Sequence, residues 1–169
     1  MPTSARQQFI VSQQVVPALI NGLINGAIAW AMHRHTLELG LWDRGAYAID
    51  LLATGFLLPA ISWLIILPLL QRQAAAGKAP MLAGVPRPRL LRWMPSARWG
   101  GTAMIGLMGM LLVGGGVVLA LQLAGSPDFS GSAYAVFKTA FGALVTVVLQ
   151  PVMVFAALRE REGGSPPTP

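Results

Sequence analysis

The sequence predicts an all-α integral membrane protein, with four transmembrane helices arranged as two hairpins and both termini in the cytoplasm. Three observations predict it. Of 169 residues, 54% are hydrophobic and only 11% charged, with a mean hydropathy of +0.61; a soluble domain carries about 25% charged residues. Four long stretches contain no charge at all. Nine of the twelve basic residues fall on one side of these stretches, in the connection 71–98 and at the two ends. Such a chain cannot dress a globular surface and needs lipid as solvent.

The uncharged stretches are Gln7–Met32, Leu51–Leu70, Trp99–Leu123 and Thr139–Leu158. At 1.5 Å per residue each covers a hydrocarbon core of ~30 Å, which places the spans at about 11–32, 51–70, 101–123 and 136–158 of one domain. The first stretch also has features of a signal peptide, since Arg6 precedes it and Ala27-Ile28-Ala29 offers small residues for cleavage. It is too long for an h-region of about 7–15 residues, and Asn21 and Asn25 interrupt it. It is read as a retained helix.

Orientation follows from the basic residues. The connection 71–98 holds Arg72, Lys78, Arg87, Arg89, Arg92 and Arg98 without an acid, and Arg6, Arg159 and Arg161 add to the same side. Opposite them stand only Arg34 and Arg44 in the connections. The positive-inside rule therefore puts the termini and the middle loop in the cytoplasm. Trp42, Tyr47 and Tyr134 are expected at the outer interface, and Trp93 and Trp99 at the inner one. Trp63 lies well inside its span, where its indole N–H needs a partner. Tail residues 163–169 are expected to be disordered.

A tandem pattern is faintly visible. Tyr47-Ala48-Ile49 opens the second span and Tyr134-Ala135-Val136 the fourth, and Arg72 and Arg159 each follow their tyrosine by 25 residues. A duplicated hairpin would produce this, as would ordinary interface residues on two apolar helices.

Polar residues within spans are costly unless they face protein or water. Asn21 and Asn25 share a face of the first helix with Pro17. Asp50, Thr54 and Ser62 follow a spacing of four on the second, and Lys138, Gly142, Thr146 and Gln150 do so on the fourth. Two readings are open: a polar path or binding site, or hydrogen-bonded glue between helices at ~0.6–2 kcal/mol per contact. Asp50 and Lys138 lie at similar depth, so they either pair or leave Lys138 to snorkel alone. Ala18, Gly22 and Gly26 form a ladder of small residues on helix 1, and Gly106, Gly109 and Gly114 a smooth face on helix 3. Both are expected to admit close helix packing.

In the basic loop, Arg87, Arg89, Arg92 and Trp93 suit contact with anionic headgroups, each cation adding ~1 kcal/mol. The sequence pI near 11.2 arises from that loop, so no nucleic-acid partner is expected. His33, His35 and Glu38, with Asp43 as a further candidate ligand, match no standard metal spacing. No metal or cofactor is expected. The chain has no cysteine, no G-x-S-x-G, no H-E-x-x-H and no phosphate-binding loop, so it does not read as an enzyme. The expectation is a transport- or permeation-related subunit of a bacterial inner membrane, acting as a homo-oligomer or with a partner membrane protein. The alternative is a non-catalytic protein that binds anionic lipid or a partner through its glycine faces and basic loop.

Overall fold

A computed structural model describes residues 3–43, 45–76 and 98–159. They form an all-helical bundle: α1 (Thr3–His33), α2 (Tyr47–Ala75), α3 (Arg98–Met108), a π-helical segment (Gly109–Gly114), α4 (Gly115–Leu123) and α5 (Gly131–Arg159). Four helical units are long and apolar enough to cross a membrane: Gln14–His33 of α1, Tyr47–Gln73 of α2, the continuous α3–α4 rod Arg98–Leu123, and Gly131–Ala157 of α5. The protein is a multi-pass membrane protein. The headgroup candidates Arg87, Arg89, Arg92 and Trp93 lie outside the described residues, as does the tail 163–169.

Short connections suggest that consecutive helices pack together, but the main seams are different. α1 packs along α5, and the α3–α4 rod packs along α2, while α2 and α5 meet in the middle. α1 and α2 form no packed seam. The reason lies in the small residues. Gly22 of α1 sits so close to α5 that a methyl group there would lie 2.8 Å from the Thr139 carbonyl. One on Gly26 would collide with the Thr139 hydroxyl, and one on Gly142 would meet the Asn21 carbonyl at 3.0 Å. Ala18 is buried on the same helix.

The second seam is built in the same way. Gly55 of α2 faces the backbone of Gly109, Met110 and Gly114, and Gly106 abuts the ring of Phe56. Gly114 lies against the backbone of Leu51 and Leu52. The run Gly114-Gly115-Gly116 stays helical, although the turn before it is widened: the Gly115 N–H donates to the Met110 carbonyl, five residues back. Gly116 faces open space, so the run serves packing only at its first member.

The two loops at the end where α1 leads to α2 and α4 to α5 form a cap. Leu39 and Phe129 exchange backbone hydrogen bonds at 2.8 and 3.0 Å, and the Gly131 N–H donates to Thr36 O at 3.0 Å. Each loop turns through a glycine with positive φ, Gly45 (+96°) and Gly125 (+93°), a region that side chains enter at a cost. Under the cap, Tyr47 and Tyr134 are fully buried and tilted together with ring centroids 5.5 Å apart. At this end of the bundle both rings face protein. The Tyr47 hydroxyl donates to the Pro127 carbonyl of the cap at 2.7 Å and the Tyr134 hydroxyl to Asp50 of α2, so burial costs neither a hydrogen bond. Trp42 alone of that trio stays exposed, donating its indole N–H to Gln122 Oε1 at 2.6 Å.

Candidate functional site

The polar residues of α1, α2 and α5 meet beneath this cap. Asp50, in the first turn of α2, projects toward α5. Its Oδ2 receives Lys138 Nζ at 2.5 Å and the Tyr134 hydroxyl at 2.5 Å. Lys138 Nζ also donates to the Asp50 carbonyl at 3.2 Å and lies 5.8 Å from the ring centroids of Tyr134 and Phe141. The two charges therefore pair, and Lys138 does not snorkel. A buried ammonium needs its carboxylate, because removing one partner of such a pair strands the other charge.

Exposure divides the pair. The Lys138 side chain is 3% exposed and that of Asp50 44%. On the exposed carboxylate, Oδ1 has a single long contact, from the Thr54 hydroxyl at 3.5 Å. Tyr134 is a site residue that sequence reading assigned elsewhere. The available signal was its position four residues before Lys138, one helical turn away on the same face.

Further along α1, Asn21 Nδ2 donates to the Thr146 hydroxyl at 2.9 Å, and that hydroxyl donates to the Gly142 carbonyl at 3.0 Å. Asn25 Nδ2 donates to the Asn21 carbonyl at 2.8 Å. Both asparagines thus spend an N–H on the helix framework. Their side-chain oxygens take no hydrogen bond among the described residues.

Asn21, Asn25, Asp50, Thr54, Ser62 and Lys138 line one cleft of about 460 Å³ between α1 and α2, with α5 behind it. Its walls are Ile24, Ile28 and Met32 from α1 and Leu57, Ile61 and Ile65 from α2. Each of these side chains is half or more exposed, so the cleft opens sideways between the two helices. Toward the loop end it is lined by Met32, Asp50 and Lys138. The size falls within the ~300–1,000 Å³ typical of small-molecule sites, and mostly apolar walls with a few polar groups are their usual composition.

Thr146 and Gln150, expected in the same interior, stand apart from the cleft. Thr146 is buried behind it in the α1–α5 seam, reached through Asn21. Gln150 is 1% exposed, and its Oε1 has no hydrogen-bond partner among the described residues. The Trp63 indole N–H is likewise buried and unpartnered there.

The candidate metal ligands do not converge. The His33 ring packs edge-on against Tyr134, Arg34 Nε donates to His35 Nε2 at 3.1 Å, and no metal-ligating trio occurs among the described residues. Comparison with protein families, curated proteins and solved structures returned no match. The functional reading therefore rests on the cleft.

Proposed function

We propose that this multi-pass membrane protein is a transport-related subunit that admits an amphipathic solute sideways from the bilayer into the cleft between α1 and α2. The observation that carries this reading is the cleft's shape and lining: open along its flank between two apolar walls, and polar only on its floor. A lipid-facing site needs an open side. In this reading the solute's tail replaces lipid against Ile24, Ile28, Leu57 and Ile61, and its head reaches Asp50 and the asparagines.

The distribution of basic residues supports placing the termini and the connection 71–98 in the cytoplasm, which puts the charged end of the cleft in the outer leaflet. A bacterial inner membrane is the setting we propose. One chain walls the cleft on three sides only, so a second copy or a partner membrane protein is needed to enclose a full route. No catalytic step is assigned to it.

The test is transbilayer exchange of a fluorescent amphiphile in proteoliposomes. Protein-containing vesicles should exchange it faster than empty ones. Ile28→Trp, which fills the cleft from its lipid side, should return the rate to the empty-vesicle value with folded yield unchanged. Exchange that is insensitive to Ile28→Trp would remove the cleft from the route and this function with it.

A further inference from the structure

We infer that the cleft selects a cationic head that donates hydrogen bonds: a primary ammonium on an apolar tail, with its nitrogen on Asp50 Oδ1. This rests on the cleft taking amphiphiles at all, and adds which kind. The argument is one of unspent chemistry. Lys138 is the basic group of the site, but it is 3% exposed and committed to Asp50 Oδ2 and the Asp50 carbonyl. An anionic head would have to break that pair to reach it.

Asp50 is the reverse. Its side chain is 44% exposed, Oδ2 is saturated by Lys138 and Tyr134, and Oδ1 keeps only the 3.5 Å contact from Thr54. The amide oxygens on the floor match it. Asn21 and Asn25 have each given one of their two N–H groups, to Thr146 and to a carbonyl, and each keeps an oxygen acceptor and a second N–H. An accessible carboxylate with two amide oxygens nearby fits a donor-rich cation, and the amide N–H groups do not repel it. Hydrogen bonds to a charged partner are roughly twice as strong as neutral ones.

The probes are three photoactivatable alkyl chains of equal length, ending in a primary amine, an alcohol or a sulfate. The amine is protonated at neutral pH, as a lysine is. Full-length protein in phosphatidylcholine nanodiscs is labelled with each, and labelled peptides are mapped by mass spectrometry. The amine should label cleft residues such as Ile28 and Ile61 at least roughly tenfold more than the alcohol, a ratio equivalent to ~1.4 kcal/mol. The sulfate should label them least.

Asp50→Asn alone strands Lys138 and endangers folding, so the decisive variant is Asp50→Asn with Lys138→Met. With its fold checked by thermal melting, it should label equally with amine and alcohol. Equal labelling of the wild type by all three chains would overturn the head selectivity while leaving the cleft as an amphiphile site. Amine preference that survives in the double variant would also overturn it. No cleft labelling by any chain would sink the broader proposal as well. A phosphatidylcholine or a helix from a second copy that the amine cannot displace would overturn the selectivity, by showing a different occupant.

Discussion

Two seams hold the four spans together, and they differ in what surrounds their glycines. Where α1 meets α5, Gly22 and Gly142 face the backbone carbonyls of Thr139 and Asn21, but Gly26 faces the Thr139 hydroxyl, beside the Asn25 amide and the Asn21–Thr146 hydrogen bond. Where α2 meets the α3–α4 rod, the glycines lie among Phe56, Pro59, Leu52 and Leu149. The polar seam borders the open cleft, whereas at the apolar one the π segment packs on both α2 and α5. The difference teaches where adjustment is possible. A hydroxyl can be removed or turned, whereas a carbonyl fixed in a helix cannot.

The largest effect is expected from Gly109→Ala. A methyl group there would collide with the Gly55 carbonyl and lie 2.6 Å from Pro59 Cγ and 2.9 Å from Leu149 Cδ1. The carbonyl and the proline ring have little room to yield, so the helices must separate. Overpacking of this kind costs about 1–3 kcal/mol and occasionally more, readable as a lowered melting temperature in neutral detergent. A variant as stable as the wild type would show that the apolar seam is the looser of the two.

Gly26→Ala sharpens the comparison at a smaller cost. Its methyl group would strike the Thr139 hydroxyl, with Thr139 Cβ and the Ala135 carbonyl at 3.1 Å. Adding Thr139→Ala removes the hydroxyl and should restore part of the lost stability. Truncating Leu149 should not rescue Gly109→Ala, because the Gly55 carbonyl remains. Equal rescue at both seams would erase the distinction.

How much of this was legible in the sequence depends on how many solutions the physics leaves open. The four spans were legible because hydrocarbon leaves an uncharged stretch few alternatives. That Asp50 and Lys138 lie at one depth was legible too, although pairing competed evenly with snorkelling until the geometry decided it. The partner of each helix was not legible. Gly22 and Gly26 announce a close approach without naming the helix that approaches, and the two-hairpin expectation pointed to α2 when Gly142 and Thr139 of α5 were the match. Tyr134 was misplaced because a tyrosine at a span's end fits an interface as well as it fits a carboxylate. The π segment had no signature, since widening a turn by one residue changes hydrogen bonding and leaves the apolar pattern intact.

The smallest effect discriminates most finely between glue and function. In a double-mutant cycle of Asn21→Leu and Thr146→Val, the coupling should be about 0.6 kcal/mol, the mean for hydrogen bonds between membrane helices. That coupling belongs to the amide N–H, which faces the seam. In the proposed site, the amide oxygen of this cleft-lining residue is the acceptor for the solute. Thr146→Val should therefore lower stability slightly and leave amine labelling of the cleft unchanged, because the threonine lies behind the floor. Asn21→Leu should lower both, since it removes the seam donor and the floor acceptor together. If both substitutions change labelling equally, the seam and the cleft are one unit, and the contrast between glue and binding site does not hold. If they separate, one asparagine serves the fold with its nitrogen and the solute with its oxygen.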